Sequence, residues 1–215
     1  MTIHTLLMIL VRWGHLLFGI AWIGMLYYFN FVQGGYFKAA TPEALKDAKA
    51  KLAPSALWWF RWGAMFTFIT GVLLLWGVYA ASQLNGYIIV GATLATIMFL
   101  NVWLVIWPNQ KIALGIVQGG DAAAAGAKAA LASRHNVLFS GPMALGMLAG
   151  PHFIGSNAGY GHPDLSTGTI VALVIIAALE GNALFGKQGI LTTVKGVIHS
   201  SIALALVIMA LLEFL

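Results

Sequence analysis

The sequence predicts an all-α polytopic membrane helix bundle of about six transmembrane helices, read as a single membrane-embedded domain over residues 1–215. Three observations predict it. Hydrophobic residues make up 60% of the chain and charged residues 8%, against about 25% charged in a soluble domain. The apolar residues gather into long runs, and each supplies the about 20 residues that a helix needs to cross a bilayer. The runs are continuously apolar and do not alternate, which argues against a β-barrel.

The spans fall at roughly 5–32, 55–81, 86–107, 135–154, 167–187 and 192–214. The start, MTIHTLLMILVRW, has no basic segment ahead of its apolar run, and that run continues to about Gln33. It is too long for a signal sequence, so the first span is expected to be retained. Residues 34–54 contain an amphipathic run that opens at Thr41-Pro42, a capping residue followed by proline at the first helical position. Residues 108–134 contain an alanine-rich run starting near Asp121. Both runs are expected to form short helices at the membrane surface. The loop 155–166 is Gly-rich and uncharged apart from Asp164.

Orientation follows from the basic residues. Lys38, Lys46, Lys49, Lys51 and Arg61 lie in or beside the first connection, Lys111, Lys128 and Arg134 in the third, and Lys187 and Lys195 flank the fifth. Of 11 basic residues, Arg12 alone falls on the other side. The positive-inside rule then places both termini outside the cytoplasm.

The net charge of +5 does not indicate nucleic-acid binding, because the cations are scattered between apolar spans. The chain has no cysteine. That excludes disulfides, cysteine-ligated clusters, thiol catalysis and covalent haem attachment through CxxCH.

Two histidines lie near mid-membrane, His15 in the first span and His199 in the sixth. Ionisable groups at that depth usually mark a site. Gly19 follows His15 by one turn, and Gly196 and Ala203 share a face with His199. Such small residues let a flat ring approach the backbone. The pair is therefore expected to ligate haem b, an iron held by His15 and His199, with Arg12 positioned for a propionate. His152, ending the fourth span, could replace one of the pair or serve a second site. The competing reading is a pair of bundle histidines satisfied by bonds to neighbouring helices. His4 and His162 lie outside the spans and are weaker candidates.

A second polar group converges at the inner end: Asn30, Arg61, Asn101, Trp107, Asn109, Gln110, Lys111, Ser133, Arg134, His135, Glu180 and Asn182. Glu180 is the most informative, since a carboxylate deep in a span costs roughly 2.5–3.5 kcal/mol on insertion scales unless it is partnered. Arg61 or Lys111 could pair with it, or it could be protonated. Arg, Asn and Gln beside Trp suit a flat polar heterocycle, its edges read by hydrogen bonds and its faces by stacking. Trp58 and Trp59 read as an interfacial belt. Gly146 and Gly150 make a small-xxx-small face that could pack inside the bundle or against another chain.

The runs WGHLLFGIAWIGMLYYFNFVQ, ALWWFRWGA, MFLNVWLVIWPNQK and SRHNVLFSGPM resemble the membrane domain of the bacterial membrane-bound urate oxidases. The resemblance is clear over about residues 10–155 and weaker over the last two spans. It implies oxidation of urate at a bacterial inner membrane, with electrons passed to a cytochrome c that family members carry as a C-terminal domain. This chain stops at Leu215 without CxxCH, so a separate cytochrome c or other acceptor is expected.

The combined expectation is a membrane haem-b oxidoreductase. Urate or a similar small heterocycle docks at the cytoplasmic side against Arg61, Asn101, Trp107, Asn109, Gln110 and Lys111. Glu180 or His135 serves as the catalytic base. The alternatives are a haem-b electron-transfer subunit of a larger respiratory assembly, and a structural or transport protein without a cofactor.

Overall fold

The computed structural model describes residues 2–152 and 165–215. His162 and most of the loop 155–166 lie outside the described residues, as does the side chain of His4. The described residues form helices joined by short connections.

Helix α1 (Ile3–Tyr27) is capped by Thr2, whose hydroxyl accepts from the Thr5 amide at 3.2 Å. It runs through a π-helical stretch, Tyr28–Gln33, straight into α2 (Gly34–Ala39). Thr41 then adopts an extended conformation, accepts from the Ala44 amide at 3.3 Å, and starts α3 (Pro42–Asp47) with proline in the first turn. A second π-helical stretch, Ala48–Leu52, joins α3 to α4 (Ala53–Ala80). The run at 34–54 is thus helical, but it continues the two spans and does not form a separate surface helix. Only a two-residue break at Ala40 and Thr41 interrupts it. A rod such as Thr5–Ala39, of 35 residues, extends about 50 Å against a hydrocarbon core of about 30 Å. The surplus of both rods carries Lys38, Lys46, Lys49 and Lys51, and this end is called the basic end below.

Helix α5 (Gly86–Leu100) starts at Asn85, whose Oδ1 accepts from the Ile88 amide. It passes through a third π-helical stretch, Asn101–Ile106, into α6 (Trp107–Ala113). Gly119 and Gly120, at φ 89° and 106°, turn the chain with a backbone that only glycine adopts freely. Asp121 then caps α7 (Ala122–His152), accepting from the Ala123 and Ala124 amides at 2.8 and 3.1 Å. The alanine-rich run again continues into a span. Helices α8 (Thr167–Phe185) and α9 (Val194–Phe214) complete the chain.

Among the described residues, five rods are long and apolar enough to cross a membrane: Thr5–Ala39, Pro42–Ala80, Gly86–Ala113, Thr167–Phe185 and Val194–Phe214. The chain is a multi-pass membrane protein. The expected fourth span, on α7, does not reach that apolarity. The reason is its position: α7 packs against α1, α5, α6, α8 and α9. Its His135, Asn136 and Ser140 are buried by those neighbours, so lipid does not select its side chains. The outward faces of the other helices are apolar instead, with Ile20 62% and Leu104 68% exposed. Such a surface is stable against acyl chains and not against water.

Without a hydrophobic drive between helices in lipid, close backbone approach holds the bundle. A Cβ on Gly146 would meet Tyr87 O at 2.7 Å and Gly91 Cα at 3.0 Å. One on Gly150 would meet Ile88 Cγ1 at 2.5 Å. The small-xxx-small face of α7 therefore packs inside the bundle, on α5. Gly63 of α4 likewise abuts the Trp22 backbone of α1, where a Cβ would come within 3.1 Å of the Trp22 nitrogen. Tyr87 also donates from its hydroxyl to Glu213 Oε1 at 2.6 Å, linking α5 to α9 at the end opposite the basic one.

Candidate functional site at the basic end

Among the described residues, five buried side-chain polar atoms have no hydrogen-bond partner: Trp22 Nε1, Gln33 Oε1, Arg61 Nε, Trp103 Nε1 and Arg134 Nη1. Each such atom loses the bonds it would make to water, at roughly 1–3 kcal/mol. Proteins carry few of them, and each calls for an explanation.

The helix register gathers most of them at similar depth. On α1 and α4, which run antiparallel, Trp22 abuts Gly63 and the Phe29 and Phe60 rings pack at 5.5 Å. Arg61 therefore lies between these levels. Trp62 meets Trp103 at 5.9 Å between ring centroids, which brings the π-helical end of α5 to the same level. On α7, Ser133 Oγ accepts from Asn30 Nδ2 at 2.8 Å, and Ser140 Oγ lies 2.8 Å from the Tyr27 hydroxyl. Arg134, next to Ser133, lies at the same depth but points about 100° away from it. Gln33 lies further toward the basic end.

Arg61 is held by stacking. Its guanidinium carbon sits 3.3 Å from the centroid of the Trp107 ring, and Lys111 Nζ lies 5.6 Å from that centroid. Cations within about 6 Å of an indole face are attracted by its quadrupole. A stacked guanidinium keeps its edge donors free for a planar acceptor. The structure thus brings Arg61, Trp107 and Lys111 together.

A second network lies beside this one. Asn101 Nδ2 donates to Asn136 Oδ1 at 3.0 Å and to Glu180 Oε2 at 3.1 Å. Asn136 Nδ2 donates to the Met98 carbonyl at 3.0 Å, where α5 gives way to its π-helical stretch. Asn30 plays the same part on α1, donating to Leu26 O at 2.9 Å. Irregular helical turns of this kind occur often at functional sites. The partner of Glu180 is Asn101, not Arg61 or Lys111. Asn109 turns back to the Val105 carbonyl at 2.7 Å. That bond stays within its own rod, and among the described residues none from its side chain reaches the Arg61 group. Gln110 is half-buried nearby.

His135 is wholly buried and faces a different side of α7 from Arg134, since adjacent helical residues point about 100° apart. Its Nδ1 lies 3.0 Å from the Leu131 carbonyl and must carry the proton there, so Nε2 accepts from Asn182 Nδ2 at 2.9 Å. The expected site therefore divides. Asn101 and Glu180 border the Arg61 group, whereas His135 turns away toward α8 and α9.

The mid-membrane histidines do not meet. His15 turns toward α4, with Nδ1 at 3.0 Å from both the Thr67 carbonyl and Thr70 Oγ1. Gly71, and not Gly19, makes room for its ring: a Cβ there would come within 3.1 Å of His15 Cε1. His199 is exposed on α9, which packs on α7 and α8. His152 and Arg12 are exposed as well. The residues expected to hold haem b, His15, His199, His152 and Arg12, thus form no ligand set around one iron. His15 is a bundle histidine satisfied across helices. Among the described residues no three histidine, aspartate or glutamate side chains lie close enough to hold a metal ion.

Residues 80–212 match the family described as urate oxidase N-terminal. The chain belongs to this family. No curated protein and no solved structure matches it significantly. The match to the urate oxidase N-terminal family takes in the last two helices, where the motifs made the resemblance weak. It starts after α4, so WPNQK and SRHNVLFSGPM lie inside it while the runs on α1 and α4 lie outside. Within the family segment fall Asn101, Trp103, Trp107, Lys111, Arg134, His135 and Glu180. The sequence reading gave no role to Trp22, Gln33 or Asn136. Trp22 sits in the WIG run of α1, and Asn136 follows Arg134 and His135, so their positions were visible but their shared depth was not.

Proposed function

We propose that the chain oxidises urate, or a closely similar purine, at the cytoplasmic side of a bacterial inner membrane and passes the electrons to an acceptor. The observation that carries this reading is the set of buried donors without protein partners: Trp22 Nε1, Arg61 Nε, Trp103 Nε1 and Arg134 Nη1, with Gln33 Oε1 as an acceptor. Urate is flat, anionic at neutral pH and ringed by carbonyl oxygens and N–H groups. Indole and guanidinium donors match its oxygens, Gln33 matches an N–H, and two arginines match its charge. The basic loops at this end favour arrival of an anion from the cytoplasm.

Oxidation removes two electrons and one proton from the urate anion. Glu180, held by Asn101 at the border of the donor group, is the base that takes a proton. Two equivalents of a one-electron acceptor, such as the cytochrome c that the resemblance implies, take the electrons. The test is urate-dependent reduction of added cytochrome c or ferricyanide by the purified chain. Reduction that requires urate and is lost in Arg61→Ala supports the reading. Absence of both urate binding and urate-dependent reduction refutes it.

A further inference from the structure

The face of α7 opposite the donor group borders an open groove of ≈ 450 Å³ between α7, α8, α9 and the connection between the last two. That volume lies in the range of about 300–1,000 Å³ typical of small-molecule sites. Its chemistry changes with depth. At the basic end it is lined by His135, Asn182, Lys187 and Ser200. Toward mid-membrane the walls are Leu138, Leu179, Leu204 and Val207. Val207 is 49% exposed on the outer surface of the bundle, so the apolar end opens toward lipid. The occupant such a groove fits is an amphiphile entering from the bilayer, polar ring first.

We propose that this groove binds the head of a lipid-soluble quinone, which takes the electrons of the reaction proposed above in place of the one-electron acceptor named there. The inference rests on that reading. The polar end suits a neutral head. His135 carries its proton on Nδ1 toward the Leu131 carbonyl and accepts at Nε2. Lys187 is the one cation in the lining, whereas a phospholipid phosphate is typically met by a basic cluster. Ser200 and Lys187 supply donors to a quinone carbonyl, and His135 Nε2 supplies an acceptor to a quinol hydroxyl in place of Asn182.

The two sites share helices. Glu180 and Asn182 are two residues apart on α8, and His135 and Asn136 are neighbours on α7. Electrons therefore cross one layer of helix. The balance closes: the urate anion loses two electrons and one proton, and the quinone gains both electrons, that proton and one more from water to become the quinol.

The test is photolabelling of the full chain in detergent with a short-chain azidoquinone, with the label mapped by mass spectrometry. Label on α9 between Ser200 and Val207 or on α7 near Leu138, displaced by decylubiquinone, is the expected result. Ala203→Trp narrows the mouth from its lipid-exposed side and should lower labelling by about ten-fold or more while helicity is kept. Label elsewhere, label insensitive to decylubiquinone, or label displaced equally by phosphatidylglycerol overturns the proposal. Urate binding measured on the same preparation separates the two readings. Urate binding without labelling removes the quinone site alone, and labelling without urate binding removes the urate reading alone.

Discussion

Arg61 shows how one side chain can be placed by stacking and left free to bind. Trp107 holds its guanidinium face at 3.3 Å, so its edge is presented without a protein acceptor. A hydrogen bond to a charged group contributes about 1.5–3 kcal/mol. Arg61→Ala should therefore raise the KM for urate by about 10- to 100-fold, measured by urate-dependent acceptor reduction. Arg61→Lys should recover little of this, because an ammonium lacks the planar fork. Glu180→Gln should behave differently, lowering kcat by about 10²- to 10⁴-fold with little change in urate binding. Unchanged kcat in that variant would remove Glu180 as the base. Arg61, Asn101 and Glu180 were legible in the sequence because a polar residue inside an apolar run announces itself. Their partners were not. Charge suggested an ion pair for Glu180, yet Asn101 reaches it, since pairing across helices depends on rotation and depth. Trp22 was hidden for the opposite reason: a tryptophan in an apolar helix looks like core or belt until its nitrogen is found buried without an acceptor.

At the scale of elements, the spans and the caps at Thr41 and Asp121 were readable from local chemistry. What local chemistry could not give was continuity. The runs at 34–54 and 122–134 have the polarity of surface helices, but nothing in them breaks a helix apart from the Ala40–Thr41 turn, so each prolongs its neighbouring span. Helix α7 inverts the usual signal, being the least apolar long helix because it is the most enclosed. Its packing on α5 depends on Gly146, where a side chain would strike Tyr87 O and Gly91. Gly146→Val should destabilise the bundle by about 1–3 kcal/mol or more, read as a lower Tm in detergent. Gly24→Ala, where a Cβ meets nothing within 4 Å, should leave the Tm close to wild type. Equal Tm values for the two variants would contradict the packing described for α5 and α7.

For the whole molecule, the distribution of basic residues sets a topology that can be tested directly. The chain has no cysteine, so single cysteines introduced into it report without background. With both termini outside the cytoplasm, Gln83→Cys in the short connection after α4 should react with a membrane-impermeant maleimide added from outside. Lys49→Cys on the projecting rod should react only after permeabilisation. The reverse pattern would turn the molecule over and place the donor group on the wrong side for cytoplasmic urate. The histidine pair belongs at this scale too. His15 and His199 share a depth, which sequence can give, but His15 packs on α4 while His199 is exposed on α9, which it cannot. Depth follows from counting residues along one helix, whereas mutual facing follows from how six rods pack.

The central claim is that buried indole and guanidinium donors gathered at one depth near the basic end bind urate. It is tested most directly by equilibrium binding of radiolabelled urate to the purified chain and to Arg61→Ala and Arg134→Ala, with helicity checked in each. Saturable binding in the wild type, weakened by about ten-fold or more in each variant and retained in Glu180→Gln, is the predicted result. Binding of equal strength in the wild type and both arginine variants would contradict it.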